Sequence, residues 1–234
     1  MNTKRALAKL DKELLHIYPF KHFVIPNFLE DSDFESVYKD LIVLEAKKPH
    51  SEFKSNFGIK QEWKSPMSNE SSLAILFDFF ASDIFIEKLK LVFGLPNSLK
   101  LDCDRTYDGG GYVKSPPNSF LSYHADFNFS SNVNKYRSLN VLFYANKDYD
   151  RANGGILHCL DPESKTVEVE VLPLANTLFA FITDDEAFHG VSRNSANFTR
   201  RSFNIYYYSD EPISSRQSTL PHKTIWMNFN NNID

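Results

Sequence analysis

Two cysteines, Cys103 and Cys159, are all that 234 residues contain. That excludes a disulfide scaffold, and a chain this long has no need of one. Both thiols read as small core residues of a protein in a reducing compartment. A basic excess is also missing: 26 Lys and Arg stand against 30 Asp and Glu, for a net charge of −4. A general nucleic-acid binder needs a basic face to displace counterions, so no nucleic-acid partner is expected. Long apolar runs are absent, and none approaches the ~20 residues of a membrane span. Near the N-terminus, Lys9 and Asp11 interrupt the chain before an apolar signal region can form. The expectation is a cytoplasmic protein without a membrane partner. There is no internal repeat and no low-complexity tract. The oligomeric state is not written in the sequence.

Aromatic residues are what the chain has in plenty, at 15%, with 21 Phe and 11 Tyr. They favour strands and aromatic-lined cavities over a helical bundle. The first third reads as helical. Leu7, Leu10, Leu14 and Leu15 give residues 3–16 an amphipathic period, and Phe34, Val37, Leu41 and Leu44 do the same for 32–45. Asp31 or Ser32 can cap the second helix. Lys21 to Pro26 reads as a short strand closed by proline. Residues 47–68 are polar and irregular, and read as a long surface loop that is either a lid or a connection. Helices follow at 71–80 and 82–93, with Ser82 as cap and Gly94 as stop.

From Ser98 onward the period changes to two. Leu99–Cys103, a segment into His124, Leu139–Tyr144, Ile156–Leu160, Val167–Leu172, Thr177–Ile182 and Arg201–Tyr208 read as strands. The fold class is therefore mainly β with N-terminal α-helices: a β-barrel or jelly roll with helices on one side. One domain is expected, with a helical support region over about 1–95, a jelly-roll core over about 98–210 and a tail over 211–234. In the tail, Trp226 is a candidate anchor onto the body.

The pattern that carries chemistry is Tyr123-His124-Ala125-Asp126, followed downstream by Phe188-His189-Gly190. On a strand, residues i and i+2 share a face, so His124 and Asp126 point together. With His189 from another strand they supply two imidazoles and one carboxylate, the donor set of a non-haem Fe(II) site with open positions. Arg200 lies eleven positions after His189 and shares a face with Ser202. A buried guanidinium needs an anionic partner, and residues 200–208 contain no acidic side chain to provide one. An Arg beside a hydroxyl suits a bidentate grip on the distal end of a dicarboxylate. The remaining histidines, His16, His22, His50, His158 and His222, read as structural or solvent-facing. Leu157 rather than His158 is expected to face inward.

In this order the motifs resemble the Fe(II)- and 2-oxoglutarate-dependent dioxygenases, and within them the prolyl 4-hydroxylase-like branch. Phe143-Tyr144-Ala145-Asn146 followed by Gly154-Gly155-Ile156-Leu157 is similar to the branch's Tyr-Leu-Asn and Gly-Gly-x-Leu signature. The resemblance covers about 105–210, and 18–45 more loosely. It implies a double-stranded β-helix core (jelly-roll, cupin-like) flanked by helices. It implies Fe(II) held by His124, Asp126 and His189, and 2-oxoglutarate bound by Arg200 with Tyr144. Tyr107 matches a family tyrosine near the cosubstrate. Two departures keep alternatives open: the inserted Lys114–Ser119 leaves Tyr112 as a rival to Tyr107, and the long spacing to Arg200 leaves Arg201 as its rival. Arg200 is preferred for its Arg-x-Ser pairing.

The implied activity is hydroxylation of an unactivated C–H bond. It is coupled to O2 consumption and to decarboxylation of 2-oxoglutarate to succinate and CO2, with ascorbate as a candidate auxiliary reductant. Enzymes of this kind that chlorinate lack the carboxylate ligand, so Asp126 favours hydroxylation. The substrate class stays open between a prolyl or other protein side chain and a small polar metabolite. Residues 47–68, the Pro116-Pro117 insertion and residues 128–136 are candidates for gating, the last by overhanging the site. Two other classes share some of these residues. A zinc hydrolase or cupin-type isomerase would use the same three ligands without needing Arg200, and a non-catalytic jelly-roll binding module would need neither.

Overall fold

A computed structural model describes residues 1–64, 71–107 and 109–227. The end of the expected 47–68 loop, Asp108 and the Asn-rich end of the tail lie outside the described residues. No helix among the described residues is long and apolar enough to cross a membrane.

The N-terminal part holds helices α1 (Thr3–Ala8) and α2 (Asp31–Glu45), with strand β1 (His22–Ile25) between them. The expected helix over 3–16 is shorter than its leucine period suggests. It stops at Lys9, and Asp11, whose side chain accepts from the Glu13 amide, starts a separate 3-10 turn at Lys12–Leu14. Glu30, not Asp31 or Ser32, sits at the cap of α2, and no side chain closes that end. A hairpin follows, β2 (Ser51–Ser55) and β3 (Gly58–Trp63). Then come helices α3 (Ser72–Phe80) and α4 (Asp83–Phe93). Ser71 and Ser82 cap them, and Gly94 ends α4 in the left-handed conformation (φ 64°).

The hairpin replaces the surface loop expected over 47–68. Its sequence hid it, because β2 carries Phe53 as its one apolar residue. Position 58 must be glycine, since a Cβ there would stand 2.7 Å from the Phe120 carbonyl oxygen.

The remaining strands are β4 (Asp102–Cys103), β5 (Gly111–Ser115), β6 (Leu121–Ala125), β7 (Phe129–Ser130) and β8 (Lys135–Tyr144). They continue as β9 (Leu157–Leu160), β10 (Val167–Val171), β11 (Thr177–Ile182), β12 (His189–Val191), β13 (Arg200–Ser209) and β14 (Ile225–Trp226). Their pairings are antiparallel, in the order β1-β11-β8-β13-β5-β3-β6-β12-β9-β10, and β2, β4, β7 and β14 attach at the sides. The sheet curls into a jelly roll, with β3 joining its larger and smaller halves.

Alternation along three central strands sorts the core. Leu139, Val141 and Phe143 of β8 face the helices, as do Leu178 and Ala180 of β11 and Phe203, Ile205 and Tyr207 of β13. Leu142 and Tyr144, with Phe179 and Phe181, face the barrel interior. Phe143 is fully buried, with ring centroids of Phe28, Phe34, Phe80 and Phe203 between 6.1 and 6.3 Å from its own. Truncation of such a side chain costs about 3–5 kcal/mol. Phe143→Ala should therefore lower unfolding free energy by that amount in urea titration. Ile75→Ala, on the exposed face of α3, should stay within about 0.5 kcal/mol. Equal losses would contradict this placement of the core.

Candidate active site

β6 and β12 are neighbours, and their register sets His124 directly opposite His189. The two rings lie 4.4 Å apart between centroids. Asp126 follows β6 at once and turns to the same side: its Oδ1 is 3.5 Å from His124 Nε2, and its Oδ2 is 3.8 Å from His189 Nε2. The three donor atoms lie within 4.8 Å of one another. Adjacent ligands on an octahedral ion with bonds of about 2.1 Å stand about 3 Å apart, so modest closure would seat a divalent metal.

Each ring is already oriented for that role. His124 Nδ1 lies 2.8 Å from the Ser122 carbonyl oxygen, and His189 Nδ1 lies 2.9 Å from that of Ala187. A carbonyl can only accept, so Nδ1 carries the proton and Nε2 presents its lone pair inward. Burial, with His124 beside it, lowers the His189 pKa to about 4, which keeps the ring neutral. Asp126 behaves in the opposite way. Burial alone would raise its pKa, but the Arg137 guanidinium outweighs it and holds the carboxyl far below its usual range.

From this cluster a cavity of about 220 Å³ runs inward to Arg200. Leu142, Leu157, Phe181 and Val191 wall it, and His158 does not. Arg200 is 3% exposed. Its Nε donates to the Gly155 carbonyl oxygen at 3.0 Å, and Nη1 donates to Ser202 Oγ at 3.2 Å. Among the described residues its Nη2 has no hydrogen-bond partner, and neither has the hydroxyl of Tyr144, whose ring lies 5.0 Å from the guanidinium carbon. Burial pushes the Tyr144 phenol up to about 12, so it stays a donor. Arg200 lines the cavity and Tyr144 lies against it, and two buried, unanswered donors so placed fit one carboxylate. Ser202 acts on Arg200, since its own hydroxyl donates to Asn204 Oδ1 at 2.9 Å.

The other expected residues lie elsewhere. Arg201 points to the opposite face and pairs with Glu45, with Nε to Oε1 at 2.7 Å. Tyr107 is not at the cavity: it packs against Phe77 in the core under the helices, 4.6 Å between centroids. Tyr112 is not there either, and hydrogen-bonds Glu45 beside Trp63. Alternation explains both Arg201 and Tyr112, because each sits one position out of phase with the inward face. Residues 128–136 do not line the inner cavity, and Ser130 alone borders the outer cleft. Asn128 and Tyr136 instead fasten the C-terminal segment: Asn128 Nδ2 donates to the Ser218 and Leu220 carbonyl oxygens, and Tyr136 donates to that of Thr219.

That fastening places residues the sequence did not reveal. β14 pairs with β6, setting Trp226 opposite His124 with 4.9 Å between ring centroids. The indole stacks at 4.5 Å on Phe57, the turn residue of the β2–β3 hairpin. Phe53, Ile59 and Lys60 of the hairpin complete the outer wall. Only an aromatic residue in an otherwise polar tail hinted at this.

Residues 110–208 match the family model described as the 2OG-Fe(II) oxygenase superfamily. No curated protein sequence matches the chain. Among solved structures, the fold is similar to a prolyl-4-hydroxylase from Pseudomonas putida (TM-score 0.61, 19% identity, 86% of this chain and 98% of that one). It is also similar to a Trichoplax adhaerens prolyl hydroxylase in complex with a hypoxia inducible factor oxygen degradation domain peptide fragment (TM-score 0.58, 16% identity, 88% of each chain). A prolyl 4-hydroxylase from Phytophthora capsici gives a TM-score of 0.59 at 15% identity, over 89% of this chain and 65% of that one. Fold and ligand cluster together are similar to those of a 2-oxoglutarate-dependent oxygenase. Residues 110–208 are thus similar to the 2OG-Fe(II) oxygenase superfamily, and the chain has the fold of these prolyl 4-hydroxylases.

The chain has two tryptophans, and Trp63 is buried away from the cavity. Co(II) bound at the three donors should therefore quench Trp226 emission. The quench should be largely lost in Trp226→Phe and kept in Trp63→Phe; the reverse would place the ion elsewhere.

Proposed function

We propose that the protein hydroxylates an unactivated C–H bond, with His124, Asp126 and His189 holding Fe(II) and Arg200 with Tyr144 holding the distal carboxylate of 2-oxoglutarate. The observation that carries this is the pair of unanswered donors, Arg200 Nη2 and the Tyr144 hydroxyl, buried near one end of a cavity whose other end holds the ligand cluster. A zinc hydrolase or cupin-type isomerase would account for the cluster but leave these donors without a purpose.

Fe(II) and 2-oxoglutarate, when bound, would supply O2 activation and the oxidising equivalents. The chain's own residues fix geometry and keep water out. Arg200 is pre-aimed by Gly155 and Ser202, so little side-chain freedom is lost when a carboxylate arrives. Leu142, Leu157 and Phe181 line the path between the two ends, and a dry wall strengthens each charge-assisted bond. Two free thiols and a ferrous site suit a reducing, cytoplasmic setting, with ascorbate as auxiliary reductant.

The substrate would enter at the aromatic mouth, as a protein side chain (prolyl or other) or as a small polar metabolite. A wider outer cleft of about 390 Å³ shares Phe53, Lys60, Gly109 and Phe127 with the cavity and provides a route in. The peptide bound by the Trichoplax enzyme supports the first alternative.

Anaerobic Fe(II) and 2-oxoglutarate should give a weak visible charge-transfer band, and succinate should form under air. Arg200→Ala should weaken 2-oxoglutarate binding about 10- to 100-fold, the share of a charge-assisted contact. Arg201→Ala should lower thermal stability by breaking its pair with Glu45 and leave that binding unchanged. Equal effects on binding would refute the assignment, and a well-folded protein with neither band nor succinate would refute the function.

A further inference from the structure

One irregularity lies behind the ligand carboxylate. Along β8, Asn140 pairs with Tyr206 of β13 and Leu139 with Tyr207, but Tyr208 pairs with Arg137. Ser138 is thus an extra residue, a bulge in β8. Side chains three apart on a regular strand point to opposite faces. The bulge shifts the phase by one, so Arg137 and Asn140 both reach the barrel interior, where both line the cavity. The extra residue is fully accommodated: the Ser138 hydroxyl lies 2.6 Å from that of Ser209, and its carbonyl oxygen accepts from the Thr183 amide at 2.9 Å.

The two side chains meet on one oxygen of Asp126. Asn140 Nδ2 donates to Oδ2 at 2.8 Å, and Arg137 Nη2 stands 3.3 Å from the same atom. Arg137 also fixes the amide: its Nε and Nη2 lie 3.2 and 2.8 Å from Asn140 Oδ1, so the amide nitrogen must face Asp126. The guanidinium is itself held between rings, 3.6 Å from the Tyr206 centroid and 4.7 Å from that of Phe127. Oδ1, the oxygen nearer His124, is left by this pair. β8 and β6 are not neighbours in the sheet, so these contacts cross the barrel interior.

We propose that Arg137 and Asn140 form a bulge-built clamp that occupies Oδ2, so that Asp126 offers a metal only Oδ1 and binds it through one oxygen. This rests on the proposed iron site and adds two positioning residues to it. A carboxylate free to chelate would take two positions and leave fewer for cosubstrate and O2; the clamp keeps three open. Partners of this kind, one shell out from a ligand, are worth about 10- to 100-fold in metal affinity.

The test uses the full chain with Co(II) or Mn(II) and no substrate. Asn140→Leu keeps the volume and removes the donor. It should melt as a folded protein and bind Co(II) about 10- to 100-fold more weakly. Infrared difference spectra, metal-loaded minus metal-free, should show the Asp126 carboxylate splitting narrow from the one-oxygen to the two-oxygen pattern. Asn140→Asp, which puts an acceptor where a donor is needed, should weaken binding further. If Asn140→Leu does not fold, Tyr206→Leu, which removes the ring over Arg137, provides the same readout. Wild-type affinity and an unchanged splitting in a folded variant overturn the clamp. Wild-type Co(II) affinity in Asp126→Ala would overturn the iron site itself, so the two failures are distinguishable.

Discussion

A charge cannot be taken out of water alone, and this barrel buries three along one cavity: Asp126 with Arg137, and Arg200 apart from them. Asp126 is answered on Oδ2, by Arg137 and Asn140. Arg200 is answered in part, by a carbonyl and a hydroxyl, with one nitrogen unpartnered. An isolated buried cation is so unfavourable that it persists only where an anion is expected to join it. The difference between the satisfied end and the unsatisfied end is what separates a structural ion pair from a binding site. Leu142, Leu157, Phe181 and Val191 give the wall an apolar part, which raises the strength of the charge contacts made beside it.

The same strand that builds the core builds the site. β13 turns Phe203, Ile205 and Tyr207 toward the helices and Arg200, Ser202, Asn204 and Tyr206 toward the cavity. Packing outside therefore fixes register inside, because a one-residue slip would exchange Arg200 for Arg201 and bury Phe203 in the wrong layer. Arg201 is held from the other side by Glu45, whose carboxyl Arg201, Tyr112 and Lys114 keep below its usual range despite partial burial. The two adjacent arginines are thus locked to opposite faces by different partners.

Alternation is also why so much could be read without coordinates. Period two placed His124 with Asp126 and Arg200 with Ser202, and the helical period with Ser82 and Gly94 placed α4. What escaped was set by contacts distant in sequence. β2 has one apolar residue and gains strand status only by pairing with β3, which needs the Phe120 carbonyl to exclude a side chain at Gly58. β14 is two residues long and exists because Asn128 and Tyr136 hold the segment before it. Arg137 was concealed by the bulge, since strict alternation from Asn140 turns it outward. Tyr107 was carried over by resemblance, and a left-handed turn (φ 52°) directs it into the core instead.

The division between legible and illegible residues follows a physical boundary. Every residue proposed to hold iron or cosubstrate lies within 110–208, the stretch that matches the superfamily. Phe53, Ile59, Lys60, Thr224 and Trp226, which wall the outer part of the cavity, all lie outside it. The chemistry is the same whatever the substrate, so its residues can recur in one order on one scaffold. The outer-wall residues come from a hairpin and a C-terminal strand that pair onto the edge of the ligand strand β6 left open by β12. Because β14 and β3 take up that edge from Leu121 to Ala125, an extended peptide cannot add to β6 as another strand.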